Sequence, residues 1–382
     1  MVVGRPTLET VAREARVSRQ TVSNAVNSPD RVAAPTLARV RDAIGRLGYH
    51  PDEAARQLRT RRSRIVGIRI EPVRDGVNGV VLDLFRHAIT ESAQRLGYRV
   101  LLFAAHDDAA EIDEYEALGA GHGLDAFVVT GTHHGDLRTD WLARHAVPFV
   151  TFGRPWGNPR AGGGNGSSPG GGAGTPREHA WVDVDGAAGT RAAVDALVGA
   201  GHRRIAFLGW PTEPGAGDDR RAGWRDGIRA HGPRVTGLEA AGEDGMGTGA
   251  RLTHQLLDGA RLSPITAFVC ASDSLALGVV AALRERGLRS GADVAVVGFD
   301  DTPVAAAVGL ASVAQPVAAA AENCLQLLDD QVRAAAAGAR ETGPPGQRLL
   351  APVFIPRASS GPPPAAPINQ LPPTTQDRGP DD

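Results

Sequence analysis

Short runs of apolar residues alternate with amphipathic stretches from residue 65 to residue 310. The runs are rich in Val, Ile, Phe and Ala, and they cover residues 65–70, 99–105, 126–131, 148–153, 204–209, 267–272 and 294–299. Strands that are apolar along their whole length, with helices between them, are typical of a parallel sheet covered on both faces. This series of βα units, with a flexible insertion near its middle, predicts an α/β core of two doubly wound parallel-sheet subdomains.

Polar residues follow several of these predicted strands. Glu71 follows the first strand, Ser272 and Asp273 follow a later one, and Asp300 follows the last. Ligands of doubly wound sheets bind at the carboxyl ends of the strands, so these side chains are candidate ligand contacts. Ordinary solvation of the strand ends is the alternative explanation.

The first 48 residues have the pattern of three short helices instead. Thr7 is placed to cap the first helix, Ser18 to cap a second over residues 19–27, and Pro35 to begin a third that Gly48 stops. Two short helices joined by a tight turn predict a helix-turn-helix. Arg, Gln and Asn side chains on the second helix suit the edges of DNA bases. A small helical cap with a solvated polar face is the alternative.

Charge is divided unevenly between these two regions. The first 64 residues contain 13 Arg and six acidic residues, a net charge of +7. The remaining 318 residues contain 28 Arg and 37 acidic residues, a net charge of −9, and the chain has no Lys. Because cationic side chains release the counterions condensed on phosphates, we expect the basic head to bind nucleic acid. The acidic body suits a small ligand or a second subunit better than a polyanion.

Composition also suggests the domain boundaries. A length of 382 residues allows two or three domains. Residues 161–175 are rich in Gly and are expected to form a flexible loop. The predicted division is a helix-turn-helix head (1–52), a hinge helix and linker (53–64), a core for effector binding and dimerisation (65–356) and a disordered Pro-rich tail (357–382).

Other functional classes find little support in the sequence. The two cysteines, Cys270 and Cys324, match no metal-ligand spacing, and the N-terminal residues have no apolar core of signal-peptide length. No uncharged apolar run approaches the length of a membrane span, so we expect a cytoplasmic protein. The His-containing stretches 106–108 and 133–134 show no third metal ligand at a recognisable spacing and are interpreted as solvated loops. No catalytic residue, metal site or cofactor is predicted.

Ordered motifs are spread through both regions of the chain. In the head they are T-L-x-T-V-A-x-x-A-x-V-S-x-x-T-V-S-N-A-V-N (7–27) and A-I-x-x-L-G-Y-x-P-D-x-x-A-R-x-L-R (43–59). In the body they are L-V-x-x-G-H-R-R-I-A-F-L (197–208), R-R-A-G-W (220–224), S-D-x-L-A-L-G (272–278), V-V-G-F-D-D (296–301) and V-A-Q-P (313–316). These motifs resemble the lactose-repressor family of bacterial transcription regulators over residues 7–356. The resemblance implies a helix-turn-helix head with a hinge helix, followed by a core like that of periplasmic binding proteins.

The resemblance implies DNA contacts for residues of the head and hinge. Arg19, Gln20 and Asn24 match the positions that read bases in the major groove. The other head residues expected to touch DNA, mainly at phosphates, are Thr7, Leu8, Ser18, Thr21, Ser23, Asn27 and Tyr49. In the hinge helix, Leu58 matches the residue that enters the minor groove, with Ala55 and Arg56 beside it. Ordinary helix packing is the alternative role for Leu58.

The resemblance also implies an effector site in the core. Arg220 and Asp300 match the family's effector-binding arginine and carboxylate. The other residues expected at the effector site are Glu71, Asp244, Ser272 and Asp273. The sequence departs from the family at two of its strand ends: Ser272 replaces an Asn, and Gly153-Arg154 stands where Asp-Arg is more usual.

These observations predict a ligand-controlled transcription regulator, most often a repressor in this family. Its expected partners are double-stranded operator DNA, a small-molecule effector such as a carbohydrate, and a second copy of the chain in a homodimer, with a tetramer as an alternative. No membrane partner is predicted. A regulator that no longer responds to a small molecule is the main alternative. A solute-binding protein would share the body but would need an export signal and no basic head.

Overall fold

The computed structural model describes residues 6–49, 62–70, 79–120, 123–156, 178–213, 215–259, 264–338 and 345–364. The chain divides into two compact units, Met1–Ser63 and Arg64–Asp382. The predicted hinge residues Ala55, Arg56 and Leu58, the strand-end residue Glu71 and the Gly-rich stretch 161–175 lie outside the described residues. None of the helices within the described ranges has the length and apolar character needed to cross a bilayer.

Over residues 6–49 the head forms three α-helices, and local capping sets several of their ends. They are α1 (Leu8–Ala15), α2 (Arg19–Asn27) and α3 (Ala34–Leu47), with a 3-10 turn at Pro29–Arg31. Thr7 and Thr10 form a reciprocal capping box at the start of α1, and Ser18 accepts a hydrogen bond from the Thr21 amide at the start of α2. Gly48 ends α3 in the left-handed region, at φ 61°. The helix-turn-helix predicted from the sequence is therefore present.

The core contains the remaining elements, which alternate strand and helix over most of their length. In chain order they begin with β1 (Ile65–Ile70), α4 (Val80–Leu96), β2 (Arg99–Ala104), α5 (Asp108–Ala120), β3 (Ala126–Thr130), α6 (Leu137–Arg144), β4 (Phe149–Phe152) and β5 (Trp181–Val184). They continue with α7 (Gly186–Gly199), β6 (Arg204–Gly209), α8 (Ala216–Ala230), β7 (Thr236–Ala241), α9 (Met246–Gly259), β8 (Ala267–Cys270), α10 (Asp273–Glu285) and β9 (Ala295–Asp300). The last are α11 (Pro303–Ala307), β10 (Ala311–Ala314), α12 (Val317–Ala336), β11 (Gln347–Leu350), β12 (Val353–Ile355) and a 3-10 turn at Ala358–Ser360.

The strands within the described ranges form two sheets of six, one for each subdomain. The first has the order β11-β5-β4-β3-β1-β2, and all its strands run parallel. The second has the order β12-β10-β9-β8-β6-β7, in which β12 alone is antiparallel to its neighbour. Central strands such as β3 and β8 are buried along their whole length, because helices cover both faces of each sheet. The predicted pair of doubly wound subdomains is confirmed.

The chain crosses between the two subdomains three times. It leaves the first sheet after β5 at Asp185, returns after β10 through Gln315 and Pro316, and leaves again after β11 through Ala351 and Pro352. The strands that lead into these crossings, β5, β10 and β11, lie at or next to the edge of their sheets. Neither subdomain is therefore a continuous segment of sequence.

The prediction that residue 357 begins a disordered tail was wrong for residues 357–364, here called the strap. Ser359 is buried, and its hydroxyl accepts a hydrogen bond from the Ala311 amide (2.7 Å) and donates one to the Val296 carbonyl (2.6 Å). His202, also buried, places its Nε2 2.9 Å from the Gly361 carbonyl oxygen. The strap packs on the second subdomain because it satisfies polar groups that the sheet leaves unpaired. The proline and serine content of the segment concealed this role.

Replacing Ser359 with Ala is expected to destabilise the core by about 2 kcal/mol, because it leaves a buried N–H and a buried C=O without partners. Ser360→Ala is the matched control, since the Ser360 hydroxyl bonds only within the strap, to the Arg357 carbonyl. Denaturant unfolding of both variants measures the difference. Equal stabilities of the two variants would show that the strap does not contribute to the fold.

The buried imidazole of His202 should make stability depend on pH. Burial lowers the pKa of His202, although its contact with the Gly361 carbonyl opposes the shift. The unfolded chain then takes up a proton near pH 6.5, before the folded chain does, so the stabilising contribution is complete above that pH and is lost as the pH falls further. His202→Gln keeps an N–H donor and removes this titration. We expect wild type to have a larger free energy of unfolding than His202→Gln at pH 7.5, and the difference to shrink at pH 5. An equal difference at the two pH values would contradict a stabilising role for neutral His202.

Candidate functional site

The outer face of α2 presents the side chains predicted to read bases. Arg19 and Gln20 are exposed, and Asn24 is half-buried one turn later. The Gln20 Nε2 donates to the Asn24 Oδ1 (3.0 Å), so the two amides orient each other. This contact leaves the Gln20 oxygen and the Asn24 NH2 group available as an acceptor and donor pair of the kind that adenine can match. Asn27 instead donates to the Ser23 carbonyl (2.8 Å), which ties it to its own helix.

Most of the residues predicted to contact phosphates also stabilise the fold of the head. The Thr7 hydroxyl accepts from the Thr10 amide (3.3 Å). The Ser18 hydroxyl accepts from the Thr21 amide (3.0 Å) and lies 2.8 Å from the Thr21 hydroxyl. Tyr49 is buried in the core of the head, against which Leu8 also packs. These residues therefore stabilise the head in the free protein, and their contacts with DNA remain a prediction.

In the core, a cleft of about 510 Å³ lies between the two subdomains at the carboxyl ends of the strands. Residues of the first subdomain on its walls include Thr132, His133, Phe152, Trp156 and Asp183. Residues of the second include Trp210, Arg220, Asp244, Asp273 and Asp300. Four of the predicted effector contacts therefore line one cavity: Arg220, Asp244, Asp273 and Asp300.

Arg220 is held rigidly on the wall formed by the second subdomain. It lies on α8 and is buried, with its guanidinium carbon 3.8 Å from the centroid of the Phe299 ring and 5.1 Å from that of Trp210. Its Nη1 donates to the Ala271 carbonyl and lies 3.6 Å from Asp300 Oδ1. Its Nε has no partner among the described residues. A guanidinium carries five N–H donors, so Arg220, which lines the cleft, has more donors than these contacts use.

Asp300 faces Arg220 from the end of β9 and has an unusual backbone conformation. Its φ is 115°, in a region that favours glycine, and the Gln315 amide donates to its Oδ1 (2.7 Å). Desolvation raises the pKa of Asp300, while the charge of Arg220 lowers it and that of Asp273 raises it. Backbone strain of this kind is often concentrated at binding sites, where the surrounding structure maintains it.

Two of the predicted effector residues act mainly on their neighbours. The Asp273 carboxylate accepts hydrogen bonds from the Thr302 amide (2.7 Å), the Thr302 hydroxyl (2.9 Å) and the Ser312 hydroxyl (2.6 Å), so it fixes the loop after β9. The Ser272 hydroxyl accepts from the Leu275 amide, which caps α10, and donates to the carboxylate of Asp244. Ser272 therefore positions Asp244 from behind the cleft wall. Asp244 and Asp273 both line the cavity, and Ser272 does not.

Three cleft residues were missed by the sequence analysis. Gln315 belongs to the V-A-Q-P motif, but its contact with Asp300 depends on the crossing after β10. Trp210 and Trp156 lie in loops after β6 and β4, where isolated aromatic residues carry no periodic signal. Gly153 explains one departure from the family pattern: at its φ of 119°, a Cβ would lie 2.2 Å from the Thr132 hydroxyl oxygen. A larger residue is excluded there by Thr132.

Arg154 joins the two subdomains beside the cleft. Its Nε lies 2.8 Å from Asp183 on β5, and its Nη2 donates to Asp219 on α8 (2.7 Å). Asp219 also accepts from the amide of Ala187, at the start of α7 (3.1 Å). Desolvation raises the pKa values of Asp183 and Asp219, against the opposing effect of Arg154. One guanidinium thus compensates two partly buried carboxylates from opposite sides of the boundary.

The structure also assembles a His and Asp cluster that the sequence did not reveal. Ligand atoms of Asp108, His133 and Asp136 all lie within 4.8 Å of one another. The guanidinium of Arg138, which is fully buried, donates to the Asp136 carboxylate from Nε (2.9 Å) and Nη2 (2.7 Å) and lies 3.3 Å from Asp108. Because Arg138 already compensates this negative charge, the cluster is better explained as an ion-pair network than as a metal site.

Both units of the chain match known proteins. Residues 7–52 match the family described as "Bacterial regulatory proteins, lacI family", and residues 194–360 match the "Periplasmic binding protein-like domain". The HTH-type transcriptional regulator CelR of Thermobifida fusca is 32% identical over 340 residues, which are 86% of this chain and 92% of that protein. The chain belongs to the lacI family.

Solved structures of lacI-family regulators have the same architecture. A complex of the transcriptional regulator CelR with cellobiose is 29% identical, with a TM-score of 0.64 over 93% of this chain and 100% of that one. The lac repressor dimer bound to operator and the anti-inducer ONPF is 25% identical, with a TM-score of 0.71 over 94% and 99%. The predicted fold class is confirmed, and the chain is a DNA-binding transcriptional regulator rather than an enzyme.

Replacing Gln20 with Ala should relax base recognition by the head. We expect about a tenfold loss of affinity for a DNA site selected by the wild type from a random pool, because a hydrogen-bonded base contact contributes roughly 1–3 kcal/mol of discrimination. Affinity for unrelated DNA and the salt dependence should stay unchanged, since no charge is removed. Fluorescence anisotropy at several salt concentrations measures all three. Gln94→Ala, an exposed amide change on the core, is the control, and equal affinities of the two variants would exclude a reading role for Gln20.

Proposed function

We propose that this lacI-family regulator binds a pseudo-palindromic operator as a homodimer and that a carbohydrate in the cleft changes its operator affinity. One observation carries the ligand part: Arg220 and Asp300 lie 3.6 Å apart on the same wall of a cleft that is also lined by aromatic residues. A guanidinium and a carboxylate can together hold neighbouring hydroxyl groups, and aromatic rings can cover the apolar face of a sugar. Operator binding would place the protein in the cytoplasm.

The relatives support a carbohydrate as the ligand class. One solved relative holds cellobiose, and another is a lac repressor dimer on its operator. In this chain we assign direct contact with the sugar to Arg220, Asp300, Asp244 and Gln315. Ser272 and Asp273 are assigned positioning roles, in keeping with their hydrogen bonds to neighbouring protein groups.

If the sugar is to control DNA binding, it must have different affinities for two arrangements of the subdomains. Walls from both subdomains contribute to the cleft, so a change in their relation changes the contacts that a ligand can make. The coupling must be reciprocal: a sugar that weakens operator binding must itself bind more weakly when operator is present. A regulator of the same family that does not respond to a small molecule is the second candidate, favoured by the departures at Ser272 and Gly153.

Arg220→Lys and Asp300→Asn test the assignment. We expect each to lower sugar affinity tenfold or more, because Lys lacks the planar fork of Arg and Asn replaces one of the carboxyl oxygens with an NH2 donor. Arg225→Lys, an exposed change on the same helix, should leave sugar affinity unchanged. Isothermal titration with a panel of sugars, followed by operator titration with and without the best binder, gives both readouts. Operator affinity that no bound sugar changes would favour the second candidate.

A further inference from the structure

A second cavity of about 170 Å³ lies beside the main cleft in the first subdomain. Both cavities are lined by Thr132, His133 and Trp156, so they are immediate neighbours. Ligand pockets that act alone usually enclose about 300–1,000 Å³, and this cavity is smaller than that range. It is therefore suited to an extension of a ligand whose main part occupies the cleft. We call this second cavity the annex.

Trp156, at the boundary between the cavities, is held in one orientation. Its indole N–H donates to the Thr132 hydroxyl (3.3 Å), its carbonyl oxygen lies 3.1 Å from the His134 Nδ1, and the Arg154 guanidinium stacks 4.7 Å from its ring centroid. A fixed, half-buried aromatic ring offers an apolar surface at little cost in side-chain entropy. Trp156 lines both cavities, so a ligand that occupied both would contact its ring.

The annex combines an apolar wall with an available carboxylate. Leu137, at the start of α6, is 61% exposed, and with Pro155 and Trp156 it lines this cavity. Asp140, one turn along the same helix, also lines it, and no described residue forms a hydrogen bond or ion pair with its carboxylate. A sugar ring matches this combination, because its C–H faces are apolar and the hydroxyl groups at its edge can donate hydrogen bonds to a carboxylate.

The charge around both cavities disfavours anionic ligands. The acidic residues that line the main cleft are Asp183, Glu213, Glu243, Asp244, Asp273 and Asp300. Arg220 is the one arginine among the described residues on those walls, and it already faces Asp300. Asp140 adds a further unpaired negative charge in the annex. Acidic side chains on these walls outnumber Arg220 and His133, so a neutral ligand is favoured over one that carries a phosphate or carboxylate group.

From these observations we propose that the effector is a neutral oligosaccharide of at least two rings, with one ring against Arg220 and Asp300 and the next in the annex. The proposal rests on the carbohydrate response proposed above and adds the size and charge of the ligand. Leu137 and Asp140 are assigned to the second ring, and Trp156 lies where the two rings meet.

The test compares sugars of increasing length on the full chain. The probes are glucose, galactose, cellobiose, maltose, lactose, cellotriose and glucose 6-phosphate, and isothermal titration gives their affinities. We expect the best disaccharide to bind at least tenfold more tightly than its constituent monosaccharides, and glucose 6-phosphate to bind more weakly than glucose. A monosaccharide that binds as tightly as every disaccharide, or a preference for the phosphorylated sugar, would overturn the proposal.

Two annex variants locate the second ring. Asp140→Asn and Leu137→Ala should each reduce affinity for the best disaccharide about tenfold and leave monosaccharide affinity unchanged. A hydrogen bond to a charged group and the apolar contact of a Leu side chain each contribute about that much. Asp113→Asn, an exposed change on α5, is the matched control, and melting temperatures verify that all three variants fold. Unchanged disaccharide affinity in both annex variants would exclude the annex as a subsite.

The two proposals fail in different ways. If no sugar in the panel binds, or if Arg220→Lys does not affect sugar binding, the carbohydrate assignment itself is wrong and this inference is overturned with it. If sugars bind and depend on Arg220 but the annex variants behave like Asp113→Asn, only the two-ring proposal is overturned.

Discussion

The three chain crossings between the subdomains are the constraint on which the cleft depends. They follow β5, β10 and β11, which lie at or next to the sheet edges, so the two subdomains remain linked there while other parts of the cleft can change width. Gln315 lies on one crossing and donates to Asp300, and Asp185 on another caps α7. The side chains that face a ligand are therefore bonded to the segments about which the subdomains would move. A ligand that displaces Asp300 cannot leave the crossing unaffected, because a hydrogen bond in a low-dielectric site is costly to break without replacement.

Buried ion pairs also connect the two subdomains. Arg154 binds Asp183 from the first subdomain and Asp219 from the second, and desolvation raises the pKa values of both carboxylates. Removing one partner of such a group leaves an uncompensated charge, which costs more than the intact network contributes. The Arg154 network therefore favours the arrangement of subdomains seen in this structure. Any arrangement that separates Arg154 from Asp219 must offer Asp219 solvent or another donor.

The sequence predicted those strands whose apolar residues follow directly from the burial of the strand itself. β3 and β8 lie in the middle of sheets and are apolar throughout, so their residues alone were sufficient. β7 is an edge strand with mostly exposed side chains, and β12 has only three residues, which are too few to be recognised as a strand. Helix caps such as Thr7 and Ser18 were found because their hydrogen bonds are local in sequence. The strap was missed because its partners, Val296 and Ala311, are about fifty residues or more away.

The same distinction applies to the site. Arg220 and Asp300 stand in recognisable motifs, and the structure places them together. The separate roles of Ser272 and Asp273 could not be read from their motif, because both are polar residues at a strand end and only their partners distinguish them.

The rigidity of the cleft residues also matters for how a ligand could control the arrangement of the subdomains. A ligand can shift an equilibrium only by the difference between its affinities for two arrangements, and that difference is greatest where the protein groups are rigid in one of them. Arg220, fixed on the Phe299 ring, meets this condition within the second subdomain, so discrimination between arrangements must come from what the first subdomain brings to the other side of the ligand.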